Sequence, residues 1–274
     1  MTEAHTQPPA PSEDESPQVS DELTDQVSDA IRAASDPATV ESQAAQVTDE
    51  VVLEEERVKD EIEIQIDLLK DQDWVVRREA VITLGEMGDE RCVEPLVRAL
   101  RDGDWQVREV AVEALGMVGS PAVDAVVKQL RNWEIRKCAI RALGKMKDER
   151  VLEPLIAQLR SDEFSQDATE ALVELGKPAV PALVAVLKDK DENIRKQAVI
   201  ALGRLQDQDA IDPLIEMLKD KDWFVRLTAA AALEKIGDDR GREAIKPLLQ
   251  DADMVVRMRV ERILAAWKKR AANA

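Results

Sequence analysis

Residues 73–100 read DWVVRREAVITLGEMGDERCVEPLVRAL, and from residue 104 the same grammar returns as DWQVREVAVEALGMVGSPAVDAVVKQL. Each copy opens on Asp, passes through a Val-Arg pair, and continues with small and apolar residues at helical spacing to Leu-Gly. A second apolar run closes it. Aligned on the Val/Ile-Arg pair, the copies fall at Val76-Arg77, Val107-Arg108, Ile135-Arg136, Ile194-Arg195, Val225-Arg226 and Val256-Arg257, with a degenerate copy at Phe164-Ser165. Self-similarity at a near-constant period, here roughly 30 residues, marks a repeat array. At about 100° per residue, Val76, Ala80, Leu84 and Met87 share one stripe of a helix. The second helix of each unit starts near Pro95, Pro154 or Pro213, since proline is tolerated in a first turn. Neither helix can bury its stripe alone, so neighbouring units must stack into a continuous core.

The expected fold is therefore all-α: an α-solenoid, a superhelical array of antiparallel helix pairs with about six and a half repeats. The repeat domain is expected over residues 51–274. Residues 161–188 are irregular, because Ser161 and Ser165 replace the repeated Asp and Arg together. Gly85, Gly116, Gly144 and Gly203 follow the repeated Leu, where they either let helices approach closely or close a helix end. Pro247, counted from its own repeated arginine Arg226, aligns with Arg98, Ala157 and Glu216 of other copies. A helix that starts later or bends is expected there.

Two polar patterns recur. Asp73, Asp104, Asn132, Asp191, Asp222 and Asp253 each stand four residues before the repeated arginine. An Asp there can cap the helix and pair with the Arg one turn on. We expect Arg77, Arg108, Arg136, Arg195, Arg226 and Arg257 to form a structural ladder with aspartates of adjacent repeats. The second pattern is tryptophan. Trp74, Trp105, Trp133 and Trp223 all stand three residues before the repeated arginine, and they are four of the five in the chain. In helical projection Trp74 lies at the edge of the apolar stripe, on the side of Val81. Two roles stay open. Each indole packs on the neighbouring repeat, or the row forms a strip that binds a partner, since Trp is favoured at interface hot spots. Cys138 occupies a position that varies between copies, with Glu79, Val110 and Gln197 elsewhere, so it is expected to be a partly accessible free thiol.

Composition bounds the function. The chain of 274 residues is 45% hydrophobic but only 3% aromatic, so Ala, Val and Leu must fill the core. Its net charge of −18 is uneven: residues 1–50 hold 12 acids against Arg32 alone, while residues 71–274 hold 37 acids and 34 bases. The acidity thus belongs mainly to an N-terminal arm, residues 1–50. Four prolines within residues 1–18 point to disorder there. From Val19 the arm carries helical stripes: Val19, Leu23, Val27 and Ile31, then Val40, Ala44, Val47 and Val51. Such an arm is expected to bind a basic surface or the groove of its own array. The array has no basic field to attract phosphates, which disfavours nucleic acid. Residues 251–274 are mildly basic, with six bases against three acids, and read as an end-cap.

Cys92 and Cys138 form neither a disulfide framework nor a metal motif. No apolar run of membrane-spanning length occurs and the polar, Pro-rich N-terminus carries no apolar signal core, so the cytoplasm is the expected compartment. The one histidine is His5, in the arm, which excludes a His-dependent triad. The ten glycines are scattered, so no phosphate loop exists. No catalytic residue, metal or cofactor is expected.

The D-x-x-V-R…A-L-G-x-x-G-D-x-R…E-P-L-x-x-x-L units resemble the HEAT-like repeats of the phycobilisome-lyase (E–Z) type, over residues 62–270. The resemblance implies an α-solenoid. Proteins of this type include chromophore lyases, hydroxylases, chaperone-like factors and scaffolds. The hydroxylases hold iron through His-Glu pairs, which this chain lacks. The reading that follows is a non-catalytic scaffold that binds a protein partner through its groove, with the second helix of each unit contributing much of the surface and the N-terminal half most of the contact. The resemblance implies one alternative, a bilin lyase or chaperone-like subunit for phycobiliprotein chromophore attachment.

Overall fold

The structure, a computed structural model, describes residues 60–272, with side chains to residue 269. The acidic arm assigned to residues 1–50, with its docking and its partner, lies outside the described residues. Within them the chain is helical throughout, without strands. It alternates short and long helices: α1 (Glu61–Leu68), α2 (Trp74–Met87), α3 (Val93–Ala99), α4 (Trp105–Val118), α5 (Val123–Gln129), α6 (Arg136–Lys145) and α7 (Leu152–Gln158). The pattern continues through α8 (Ser165–Leu175), α9 (Val180–Ala185), α10 (Glu192–Leu205), α11 (Ile211–Met217), α12 (Trp223–Ile236), α13 (Asp239–Ile245) and α14 (Met254–Ala272).

Each long helix packs against the long helices before and after it, and the short helices lie against one another in a second layer. This is the α-solenoid expected from the period. The buried arc of a long helix is wider than the stripe read from the sequence. Val81 and its counterparts Val112, Ile140 and Val199 are fully buried, because a long helix faces two long neighbours as well as the short-helix layer. Val76 is only half-buried, whereas Val107, Ile135, Ile194, Val225 and Val256 are buried, since α2 has no long helix before it among the described residues.

Local chemistry fixes each long-helix start. Asp73, Asp104, Asp191, Asp222 and Asp253 accept hydrogen bonds from the backbone N–H two residues on, at 2.8–2.9 Å. Each satisfies a donor that the helix itself cannot. At the far end, Gly88 and Gly237 leave the helix in the left-handed region, with φ of 63° and 79°. There a side chain would clash with its own backbone.

The glycines after the repeated Leu serve close approach. A Cβ on Gly85 would lie 2.6 Å from the Ala114 Cβ, and one on Gly203 would lie 2.6 Å from the Ala232 Cβ. On Gly144 it would fall 2.7 Å from the Ala171 Cα, which is backbone and cannot yield. Gly116 meets the Lys145 Cβ instead, at 2.6 Å.

The irregular middle has a simple cause. Every short helix ends near a leucine: Leu69, Leu100, Leu130, Leu159, Leu187, Leu218 and Leu249. Seven residues normally separate that leucine from the repeated arginine position, but only five separate Leu130 from Arg136 and Leu159 from Ser165. The shorter connection consumes what would be the first helical turn. So α6 and α8 begin at the arginine position itself, about one turn later than their neighbours, and neither has a side-chain cap. The shortening thus begins at residue 131, ahead of the irregular stretch read from the sequence. At Pro247 the outcome differs from a late or bent helix. The α13 helix starts early, at Asp239 behind the cap Asp238, and gives way to a 3₁₀ turn at Lys246–Gln250 that seats the proline in its first positions.

Gly144→Ala is expected to destabilise the array by about 1–3 kcal/mol through overpacking, whereas Gly103→Ala, with nothing within 4 Å, stays within about 0.5 kcal/mol of the parent in urea titrations.

Candidate functional site

The parallel long helices bring their starts, and the loops that feed them, to one edge of the array. Both patterns singled out in the sequence lie there. Capping and arginine pairing are divided between two different aspartates. Arg77 does not bond to Asp73. Its Nε and one terminal nitrogen donate to the two carboxylate oxygens of Asp102, each at 2.8 Å, and its other terminal nitrogen donates to the carbonyls of Asp71 and Gln72. Arg195 clamps Asp220 at 2.9 and 3.1 Å, and Arg226 clamps Asp251 at 2.8 and 2.7 Å, with the same two carbonyl contacts behind. Each clamp ties one long helix to the loop before the next. The rung is the Asp two residues before the capping Asp, and its carboxylate also accepts from that Asp's N–H, as Asp102 does at 2.8 Å from Asp104.

Sequence reading missed these rungs, although an Asp-x-Asp signature (DQD, DGD, DKD, DKD, DAD) marks them at Asp71, Asp102, Asp189, Asp220 and Asp251. Counted from the leucine that closes each short helix, the two short connections put Asn132 and Ser161 in the rung position. The Asn132 Oδ1 accepts from the Glu134 N–H at 3.1 Å, and the Ser161 Oγ from the Phe164 N–H at 3.3 Å.

Electrostatics follow the clamps. The Arg77 guanidinium holds the Asp102 carboxyl below the usual carboxylate range, and Arg226 does the same for Asp251. Burial pushes Asp220 upward, but the hydrogen bonds from Arg195 and from the Asp222 N–H outweigh it, and the net direction is again down. Burial also pushes the half-buried Cys138 thiol up, which keeps it protonated at neutral pH.

The tryptophans do not behave alike. Trp74 is half-buried against the core. Trp105 and Trp133 are 63% and 66% exposed, and Trp223 is 41% exposed. Trp223 meets Phe224 edge to face at 5.6 Å. In the last long helix Met254 takes the tryptophan position and is 63% exposed, with Val255 and Met258 exposed beside it. Between the two apolar groups the equivalent positions are acidic, at the exposed Asp162 and Glu192. Most of the exposed large apolar side chains therefore lie on the starts of the long helices, out to the C-terminal end, with Ile64 on α1 and Met117 near the end of α4 as exceptions.

A family model described as HEAT repeats matches residues 62–132, 122–176 and 180–265 of this chain. The chain is a HEAT-repeat protein. Among curated proteins, no sequence matches it. Among solved structures, this HEAT-repeat chain is similar to an engineered protein, at 25% identity over 77% of this chain and 98% of the other, with a TM-score of 0.31. It is similar to the complex of CpcE and CpcF of phycocyanin lyase from Nostoc sp. PCC7120, at 23% identity over 75% and 94% of the two chains, with a TM-score of 0.36. It is also similar to human deoxyhypusine hydroxylase, at 22% identity over 92% and 98%, with a TM-score of 0.38.

Among the described residues of this HEAT-repeat array, no group of three or more His, Cys, Asp or Glu is placed to hold a metal ion. No single described helix is long and apolar enough to cross a membrane.

The clamps give two measurable consequences. Arg195 and Asp220 are 6% and 8% exposed, so Asp220→Ala strands a buried charge and is expected to cost roughly 3 kcal/mol in a denaturation titration. Asp124→Ala, at the exposed Arg150 pair, should leave the denaturation midpoint nearly unchanged, because water screens that pair. Asp102, Asp220 and Asp251 all titrate lower folded than unfolded, so the unfolded chain binds more protons in acid. Their stabilisation is complete above the ordinary carboxylate range and is lost as the pH falls through the folded values. The urea midpoint should decline below about pH 4, and the triple variant Asp102→Asn/Asp220→Asn/Asp251→Asn should show a flatter decline.

Proposed function

We propose that this chain is a non-catalytic scaffold that binds a protein partner along the edge where its long helices begin. The observation that carries this reading is the exposure of Trp105 and Trp133 on consecutive repeats. An indole left two-thirds in water contributes little to folding, and such side chains are favoured anchors in protein interfaces. The repeat core beneath them is closely packed, so the edge is pre-organised and a partner loses little free energy in ordering it. The half-buried, protonated thiol of Cys138 gives no reason to assign covalent chemistry to it. Cys92 and Cys138 are both free, which fits a reducing compartment such as the cytoplasm.

The test compares affinity capture by the full chain and by its Trp105→Ala/Trp133→Ala variant. Both side chains are exposed, so the variant should keep its helical content and urea midpoint. It should lose at least about 90% of the recovered partner, because two anchors at roughly 2 kcal/mol each lower affinity more than tenfold. Undiminished recovery by a folded variant would refute the edge as the binding surface.

A further inference from the structure

We propose that the N-terminal half of this edge receives an acidic, apolar-anchored segment of a partner protein, whose carboxylates occupy two rungs that the array leaves without a carboxylate of its own. The proposal rests on the scaffold reading above and adds the chemistry of the partner.

Three repeats show what the repeated arginine takes. Arg77, Arg195 and Arg226 each present the edge formed by Nε and a terminal nitrogen to an Asp, at 2.7–3.1 Å. Where the connection is shortened, the rung is neutral, at Asn132 and Ser161. The arginines that precede those two rungs are Arg108 and Arg136. Among the described residues neither forms an ion pair. Arg108 donates only from one terminal nitrogen, to the carbonyls of Asp102 and Gly103 at 2.7 and 3.1 Å. Arg136 donates from Nε to the Leu130 carbonyl at 2.6 Å and lies over the Phe164 ring, 5.1 Å from its centroid. No buried side-chain nitrogen lacks a partner among the described residues, so the unused N–H groups of both arginines reach solvent.

These two arginines sit beside the two most exposed indoles. Trp105 and Arg108 are three residues apart at the start of α4, which puts them on one side of the helix. Trp133 and Arg136 bracket the turn that leads into α6. Two half-buried, carboxylate-seeking guanidiniums and two solvent-facing indoles thus alternate on consecutive repeats. The starts of α6 and α8 have no side-chain cap, which leaves their helix-end N–H groups as further donors on the same edge.

The geometry favours a polypeptide over a nucleic acid. The clamped rungs show that the Nε edge of this arginine fits a carboxylate bidentately. That edge makes no hydrogen bond at Arg108, while at Arg136, whose Nε is taken by the Leu130 carbonyl, the two terminal nitrogens remain. The array over residues 71–274 has three more acids than bases, and the edge continues into the exposed Asp162, Glu163 and Glu192. A continuous phosphate backbone would run on past the Ser161 rung along these carboxylates and be repelled by them, whereas a short acidic segment ends at that rung. Neighbouring helix axes lie about 8–10 Å apart, and three residues of extended chain span about 10 Å. The segment should therefore carry carboxylates three residues apart with an apolar side chain between them.

The test titrates the full chain with fluorescently labelled peptides of the form (Glu-Leu-Ser)4, with matched Gln and Lys versions, and with a 20-nucleotide single-stranded oligothymidylate. The Glu peptide should bind at least tenfold more tightly than the Gln peptide, and more tightly than the Lys peptide or the oligonucleotide. Asn132→Asp/Ser161→Asp restores both rungs from within with little change of bulk, and it should weaken the Glu peptide at least tenfold while leaving the Gln peptide unchanged. Arg108→Gln/Arg136→Gln should do the same; the Asp variants decide the matter if these lose stability. Absence of binding by the Glu peptide overturns the proposal, as does tighter binding of the Lys peptide or the oligonucleotide. Equal binding of Glu and Gln peptides, both lost in Trp105→Ala/Trp133→Ala, overturns the acidic specificity alone and leaves the scaffold reading standing.

Discussion

No helix in this array can bury its apolar surface without the next repeat. All but the last of the long helices have 10–14 residues and the short ones 6–8, lengths that are marginal at best for a helix alone in water. Everything else follows from how one repeat is fastened to the next. Small residues bring the long helices into contact, as Gly85 does with Ala114 and Gly203 with Ala232. At Arg77, Arg195 and Arg226 the arginine clamps then fix the loop of the following repeat against the helix before it. The same clamp holds the capping Asp in place, because the rung carboxylate accepts the N–H of the capping residue. One guanidinium therefore sets packing, loop conformation and helix start together.

That economy explains why the middle of the array differs so much for so little change. Shortening a connection by two residues removes the cap and the first helical turn at once, and both short connections also carry a neutral residue, Asn132 or Ser161, at the rung. Thr169 shows how the neighbouring repeat adjusts. It sits where other copies carry Val81, Val112 or Val199, and its buried hydroxyl is satisfied by donating to the Ser165 carbonyl, with the Gln197 side chain also within hydrogen-bonding distance. Asp189 loses its repeated arginine to Ser165, and the exposed Arg160 reaches it instead at 3.6 Å. The loop that carries Trp133 lacks both the clamp and the cap, whereas Trp105 starts a clamped and capped helix, so the candidate binding edge spans the boundary between the regular and the irregular part of the scaffold.

Much of this was legible in the sequence, for physical reasons. The period, the helix pair, the capping role of Asp73 and its counterparts, and the close approach at the glycines all leave local residue signatures. The partner of each arginine left a weaker one. Asp73 is nearer in sequence to Arg77 than Asp102 is, and only the stacking of repeats reverses that preference. Counting back from the arginine aligned Asn132 and Ser161 with the capping residues. Counting forward from Leu130 and Leu159 places them at the rung. Sequence alone does not say which count the backbone follows. Exposure of the indoles was likewise undecided, because a residue at the edge of a stripe is covered or bare according to the neighbouring loop. The tryptophan row also hid its own continuation, since Met254 fills the same position with a different residue type.

The central claim is that the starts of the long helices, not the short-helix layer, form the surface that meets a partner. Hydrogen–deuterium exchange on the full chain, alone and with a captured partner, tests it most directly. Slowed exchange confined to residues 101–110 and 131–138 is the predicted result. Slowed exchange confined to α3, α5 and α7, with those residues unchanged, would contradict it.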